Sequence, residues 1–170
     1  MVPLHQIDAE QFDVGVRTDI RGTFLGMKYQ VQAMLQGGGG AIVNMASLAG
    51  LNAVANMAVY VAGKAAIIGL TKAAALDYAD QNIRVNVVAP GSILSWQLER
   101  AGSEAQQAAA RAVPMRRVGR LDEVAATVLW LCSPAAGFIT GAVIPIDGGQ
   151  GAGTKPDRMF QPGKGMQAAG

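Results

Sequence analysis

The feature that most constrains this chain is its alternation of two hydrophobic patterns, one recurring every three or four residues and one nearly uninterrupted over five to seven. Between residues 9 and 36 the side chains Phe12, Val16, Ile20, Phe24, Met27, Val31 and Met34 recur at helical spacing, which predicts one long amphipathic helix with its methionines in the core. Gly37 to Gly40 stop it, and residues 41–45 follow as a short apolar run closing on Ala46-Ser47. A second helix is expected over about 59–81, rich in Ala and Gly so that another element can approach its backbone closely. Residues 83–89, I-R-V-N-V-V-A, form the next apolar run and end at Pro90-Gly91; residues 142–146 form a third, turned by Asp147-Gly148-Gly149. Residues 92–114 are polar and Ala/Gln-rich, with the pattern of a mobile helix over a site. Residues 121–132 predict a helix opened by Asp122 and Glu123, where acidic side chains favour the helix dipole.

Strands covered on both faces read as continuous apolar runs, and strands joined through helices pair in parallel by right-handed crossovers. The order therefore predicts an α/β fold, a parallel sheet of about three strands with flanking helices. In open sheets of this kind ligands collect at the carboxyl ends of strands, where Ser47 and Pro90-Gly91 fall. Residues 1–150 read as one domain. Residues 151–170, with Gly, Lys and Pro and no periodicity, read as a flexible tail.

A length of 170 residues with 51% hydrophobic and 15% charged side chains suits a single globular domain with a large core. A net charge of +2, no block of Lys or Arg and nine aromatic residues leave no electrostatic footprint for nucleic acid. Asp8 and Glu10 precede any apolar run, unlike a signal peptide, and no run of 18 apolar residues is present to span a bilayer. A soluble, cytoplasmic protein is expected. Cys132, within V-L-W-L-C, is expected to be a buried, inert thiol; with one cysteine and one histidine, His5, no zinc site is expected.

The chemistry concentrates in Y-V-A-G-K. Tyr60 and Lys64 at i and i+4 share a helix face, and an ammonium beside a phenol lets the phenol exchange its proton nearer neutrality. A hydroxyl from Ser47 at a strand end is placed to hydrogen-bond a substrate oxygen, so proton transfer to or from a carbonyl or alcohol is the leading reading. The structural alternatives are an exposed helical pair for Tyr60 and Lys64, a turn cap for Ser47, and backbone satisfaction for Asn86 on its buried strand.

The segments I-V-N-M-A-S, Y-V-A-G-K, I-R-V-N-V-V-A-P-G-S-I, I-T-G and D-G-G, in this order and spacing over residues 8–150, resemble the short-chain dehydrogenase/reductase family. The resemblance implies a partial Rossmann-like three-layer fold, the C-terminal half of a doubly wound parallel sheet. It implies hydride transfer between NAD or NADP and a small-molecule secondary alcohol or ketone. In that scheme Tyr60 is the acid/base, Lys64 lowers its pKa and holds the nicotinamide ribose, and Ser47 orients the carbonyl. Pro90, Gly91, Ile93 and Ser95 match the segment that lines the nicotinamide and its phosphates, with Ser95 where a threonine is usual. Trp96, Leu98 and Met115 would belong to the substrate wall. The helices around Phe24 and Tyr60 would pack against copies in a partner, making a homo-oligomer or an assembly with a relative. The alternative function is a catalytically inactive, truncated chain acting as an oligomerisation or complementation module.

Three departures from the family pattern stand out. Asp19, in T-D-I-R-G, occupies the place of the usual asparagine, and a carboxylate there would pair with Lys64 and weaken its pull on Tyr60. Gly63 replaces the usual serine before the lysine, a change expected mainly to loosen the helix. The glycine-rich turn that receives the cofactor pyrophosphate, the acidic residue for the adenine ribose and the Asn-Asn-Ala-Gly segment are absent; neither Gly37 to Gly40 nor G-K-G-M-Q-A near the C-terminus has the required context. Whole members have roughly 250 residues, so the chain reads as one beginning about a third of the way in. Affinity for the adenosine half of the dinucleotide would fall steeply, and the edge of the strand ending at Ser47 would form an apolar patch.

Overall fold

The computed structural model describes residues 1–153 and 155, and its core is a sheet of three parallel strands in the order β1-β2-β3. Strand β1 spans Gly40–Met45, β2 Ile83–Pro90 and β3 Val143–Ile146. The registers run from Gly40 opposite Ile83 to Met45 opposite Val88, and from Val87 opposite Val143 to Pro90 opposite Ile146. Because strand side chains alternate, Ile83, Val85 and Val87 face one layer while Arg84, Asn86 and Val88 face the other.

The first layer is made by helices α2 (Gly22–Gly37) and α3 (Ala58–Tyr78): Met27, Val31, Ala74 and Ala75 pack on Ile42, Ile83 and Val85, and Ile67 and Ile68 pack on Ala46 and Val87. The opposite layer is a later helix, α6 (Leu121–Cys132), whose Val124 and Leu131 cover Val88. Arg84 reaches the end of α6 and donates to the carbonyls of Leu131, Ile139 and Ser133 at 2.8 to 3.3 Å, satisfying acceptors that a helix terminus leaves open. Asn86 ties β2 to the chain entering β3: its Nδ2 donates to Ile139 O at 2.9 Å and its Oδ1 accepts Ala142 N–H at 3.0 Å. That is the backbone-satisfying role.

The helix expected over 9–36 is one continuous helical run with a break in its hydrogen-bond pattern. It is α1 (Ala9–Gly15), then a π-helical segment Val16–Arg21, then α2. Only part of its apolar stripe is core: Met27 and Val31 are buried, whereas Phe12 and Phe24 are exposed. The segment 92–114 is two helices, α4 (Trp96–Arg100) and α5 (Gly102–Ala112), separated where Gly102 takes φ +87°. Cys132 is exposed, which corrects the expectation of a buried thiol: Leu131 takes the inward position on α6 and the next residue turns outward by about 100°. Counting uninterrupted apolar residues also understates α3. With its 3-10 extension to Gln81 it is long and apolar enough to cross a membrane by length and composition, yet here it packs on the sheet and carries Lys64 and Thr71. The tail expected over 151–170 and G-K-G-M-Q-A fall largely or wholly outside the described residues; Lys155 donates from Nζ to Pro114 O at 3.3 Å.

Candidate active site

Two chain reversals at the carboxyl ends of β1 and β2 and the first turn of α3 meet around one cavity of about 340 Å³, lined by Ser47, Asn52, Tyr60, Gly91, Ser92 and Gln150. Ser47 follows β1 and opens the 3-10 turn Leu48–Gly50, its Oγ accepting the Ala49 N–H at 3.2 Å. The cap role weighed for Ser47 is thus present, and the same residue lines the cavity. Gly50 lets this turn lie directly on α3, since a Cβ there would fall 2.7 Å from the backbone carbon of Lys64. Tyr60, in the first turn of α3, is 38% exposed and presents its side chain to the cavity.

One turn further along α3, the Lys64 ammonium lies 5.4 Å from the centre of the Tyr60 ring and donates to Asp19 Oδ1 at 3.0 Å. Both charged side chains are mostly out of water, with 16% and 19% of their surface exposed. Asp19 comes from the π-helical segment, whose widened turn changes the face that the following residues present. Helix α3 is held on the sheet by a partly buried polar bridge: Asn44 on β1 donates from Nδ2 to Thr71 Oγ1 at 2.8 Å, and Thr71, fully buried, donates to Ile67 O at 2.8 Å.

The residues matched to a nicotinamide-lining segment divide between two places. Gly91 joins the Ser47 and Tyr60 cavity, whereas Pro90, Ile93 and Ser95 line a neighbouring groove of about 520 Å³ with Met45, Leu121 and Val128, almost wholly apolar. Of the expected substrate wall, Met115 lines a third cavity, about 300 Å³, with Ser92, Ile93, Val113 and Asp147; Trp96 stays exposed under the Arg100 guanidinium. At the rim of that third cavity Glu123 is paired by Arg117 through contacts of 2.7 and 2.8 Å. The hydrogen bond from Arg117, helped by the Arg120 N–H, holds the Glu123 carboxyl down to about 2.

Asn52 and Gln150 were not singled out by the sequence. Both are uncharged and occur in turns, so their only signal is proximity to Ser47 and to Asp147-Gly148-Gly149. Gln150 is placed by that turn, where Asp147 accepts the N–H groups of Gly149 and Gly151 at 2.9 and 2.7 Å, and its Oε1 accepts the Ser92 hydroxyl at 3.3 Å.

Comparisons with known proteins agree on one lineage. Residues 1–150 match the family model described as enoyl-(acyl carrier protein) reductase. The chain is 39% identical to an uncharacterized oxidoreductase of Thermotoga maritima, covering 88% of this chain and 62% of that protein. It is 39% identical to the A-factor type gamma-butyrolactone 1'-reductase of Streptomyces virginiae, covering 86% and 59%. It is 36% identical to the inactive 2-(S)-hydroxypropyl-CoM dehydrogenase 2 of Xanthobacter autotrophicus, covering 88% and 67%. Among solved structures, ElxO with NADP bound superposes with a TM-score of 0.86 at 35% identity, covering 90% of this chain and 63% of that one. A short-chain type dehydrogenase/reductase from Mycobacterium ulcerans gives 0.84 at 32%, covering 92% and 58%; NAD+-bound xylitol dehydrogenase gives 0.79 at 34%, covering 85% and 62%. The chain spans about three fifths of the length of the curated relatives it matches.

Proposed function

This chain belongs to the short-chain dehydrogenase/reductase family, and from that premise we propose that it works as an oxidoreductase moving hydride between NAD or NADP and a secondary alcohol or ketone. The observation that carries the reading is one cavity lined by both Ser47 and Tyr60, with the Lys64 ammonium 5.4 Å from the centre of the phenol ring. Ser47 Oγ accepts from Ala49, which leaves its own O–H to donate to a substrate carbonyl in the cavity. Tyr60 gives its proton to that oxygen during reduction and takes it back during oxidation, and the Lys64 ammonium offsets negative charge on the phenolic oxygen. Asp19 pairs with the same ammonium at 3.0 Å.

The residues fit the nicotinamide end of a dinucleotide. Gly91 and Ser92 border the cavity, and Pro90, Ile93 and Ser95 next to them give an apolar wall suited to an uncharged aromatic ring. Among the described residues no glycine-rich turn stands between a strand end and a helix N-terminus to receive the pyrophosphate; Gly50 after β1 and Gly91 after β2 stand singly. When bound, the nicotinamide supplies or accepts the hydride. The cytoplasmic location expected from the sequence belongs to the same reading.

The test is NAD(P)-dependent turnover across a panel of secondary alcohols and ketones, with direct NADH and NADPH titration of the purified chain. Tyr60→Phe is expected to lower kcat by about 10²–10⁴ with an unchanged melting temperature. A Tyr60→Phe protein as active as the parent overturns the reading.

A second reading, an association module without turnover, is favoured by a largely apolar groove of about 450 Å³ where Phe24, Met27 and Leu35 on α2 face Leu70 and Tyr78 on α3, with Phe24 and Leu35 exposed. One relative, 36% identical, is named inactive. Stable self-association or co-assembly with a full-length relative, without NADH or NADPH binding, supports this second reading.

A further inference from the structure

We propose that Gly63 is a positioning residue for the site: it is the seat of the Asp19 carboxylate, so that Asp19, Gly63 and Lys64 act as one unit that fixes the ammonium beside Tyr60. The inference rests on the reading of Tyr60 and Lys64 as the acid/base pair and adds a residue that touches neither substrate nor cofactor. It also replaces the expectation that glycine at 63 mainly loosens the helix.

The geometry is specific. A Cβ built on Gly63 would lie 2.6 Å from Asp19 Oδ2, 2.9 Å from Asp19 Cβ and 3.1 Å from Asp19 Cγ. A side chain at 63 therefore collides with the whole carboxylate arm and not with one movable tip. Ordinary contact begins near 3.4 Å, so the carboxylate must retreat by about 0.8 Å. Its other oxygen, Oδ1, is the one that holds Lys64 Nζ at 3.0 Å, and a retreat of that size takes the pair close to the limit of an ion-pair contact.

The backbones cannot relieve the clash cheaply. The same two helical runs also touch at Gly15, where an added Cβ would run into the Val59 side chain. Two small residues, one on each run, thus set a close crossing, and moving the helices apart at Gly63 means opening the Gly15 contact too. The π-helical turn Val16–Arg21 delivers Asp19 into this crossing, and Gly63 supplies the space that receives it. Gly69, further along α3, has nothing within 4 Å of its hypothetical Cβ and is the internal control.

The test is zero-length carbodiimide cross-linking of the full chain, read by peptide mass spectrometry, because an amide forms only between a carboxylate and an amine already in contact. The parent and Gly69→Ala are expected to give the Asp19–Lys64 linkage in equal yield, and Gly63→Ala to give at least tenfold less while retaining its far-UV circular dichroism. If Gly63→Ala does not fold, Asp19→Gly/Gly63→Ala decides the matter: removing the side chain at 19 is expected to bring the melting temperature back to that of Asp19→Gly alone. Equal linkage in Gly63→Ala and the parent, loss of linkage in Gly69→Ala, no linkage in the parent, or a double variant that does not recover each overturns the proposal. Absence of NADH binding or turnover, with the linkage pattern intact, instead rejects the oxidoreductase reading and leaves the positioning of Lys64 standing.

Discussion

Replacing Thr71 by valine tests how α3 is registered on the sheet. Thr71 is fully buried and its hydroxyl does two jobs, accepting from Asn44 Nδ2 at 2.8 Å and donating to Ile67 O at 2.8 Å. Valine keeps the shape and removes both. The Ile67 carbonyl belongs to a helix and keeps a backbone donor, so the main loss is the Asn44 N–H left without its oxygen, with only Met27 Sδ nearby at 3.0 Å. The Asn44 donor is partly buried and stranding it costs about 1–3 kcal/mol, so Thr71→Val should destabilise by about 2 kcal/mol. For a domain of this length that corresponds to a melting temperature lower by about 4–8 °C. Thr71→Ser keeps both hydrogen bonds and loses one buried methyl, about 0.8 kcal/mol. Asn44→Leu/Thr71→Val replaces donor and acceptor together and should recover much of the loss. The assay is urea unfolding at constant m, with the parent, Thr71→Val, Asn44→Leu and Asn44→Leu/Thr71→Val closing a double-mutant cycle. If Thr71→Val is no worse than Thr71→Ser, or if the double variant loses the full sum of the two singles, the bridge does not hold α3 to β1.

Glu123→Gln tests the charge network at the start of α6. The folded carboxyl titrates near 2 against an ordinary value of 4.5, chiefly because Arg117 hydrogen-bonds it. A depressed carboxyl contributes its stability above the unfolded value and loses it as pH falls through the folded one, so the variant should unfold more easily at pH 7 and match the parent by about pH 2. A difference that persists unchanged to that pH would reject the pairing. Arg84→Met removes the donor shared by the carbonyls of Leu131, Ser133 and Ile139, and should cost about 2–4 kcal/mol in urea unfolding. Cys132 should react with Ellman's reagent in the native protein, one thiol per chain, at a rate close to that of the urea-unfolded chain; protection in the native state would contradict its exposure.

The parts of the fold that were legible in the sequence are those where one physical rule dominates. Residues 121–132 form a helix because an apolar period and acidic first-turn residues agree, and Ile83–Pro90 forms a strand because an apolar run meets Pro90-Gly91. What stayed hidden depends on two elements at once. The π-helical turn leaves the apolar spacing of residues 9–36 nearly unchanged, so nothing in the period announces it. Phe12 and Phe24 fit the helical stripe as well as Met27 does, but Met27 packs into the core on the sheet, whereas Phe24 lines the groove between α2 and α3 and Phe12 stays exposed. Ser47 and Tyr60 could be placed together because strand ends in a parallel sheet point the same way. The separation of Pro90, Ile93 and Ser95 into a different groove from Gly91 follows from the turn after β2, where the Ser92 and Leu94 backbone pairs with Gly119 at 2.8 to 2.9 Å.

The two ends of the proposed site are held in different ways, and the difference bears on what each can contribute. The proposed proton-transfer end is wired within the chain: Asn44 to Thr71 joins α3 to β1, Gly50 seats the Ser47 turn against Lys64, and Asp19 pairs with the Lys64 ammonium. Polar groups held this way need little reorganisation when charge develops, which is the condition under which fixed dipoles and charges lower a barrier. The neighbouring groove at Pro90, Ile93 and Ser95 is apolar, and it borders β1, which among the described residues pairs with β2 alone. A wall of that kind excludes water from a flat ring but supplies few directed hydrogen bonds to a phosphate. Under the proposed function, orientation of the reacting oxygen would fall to Ser47, Tyr60 and Lys64, while dinucleotide affinity would depend on the surface beside β1. On that proposal turnover and cofactor affinity would be separable properties, decided by different residues.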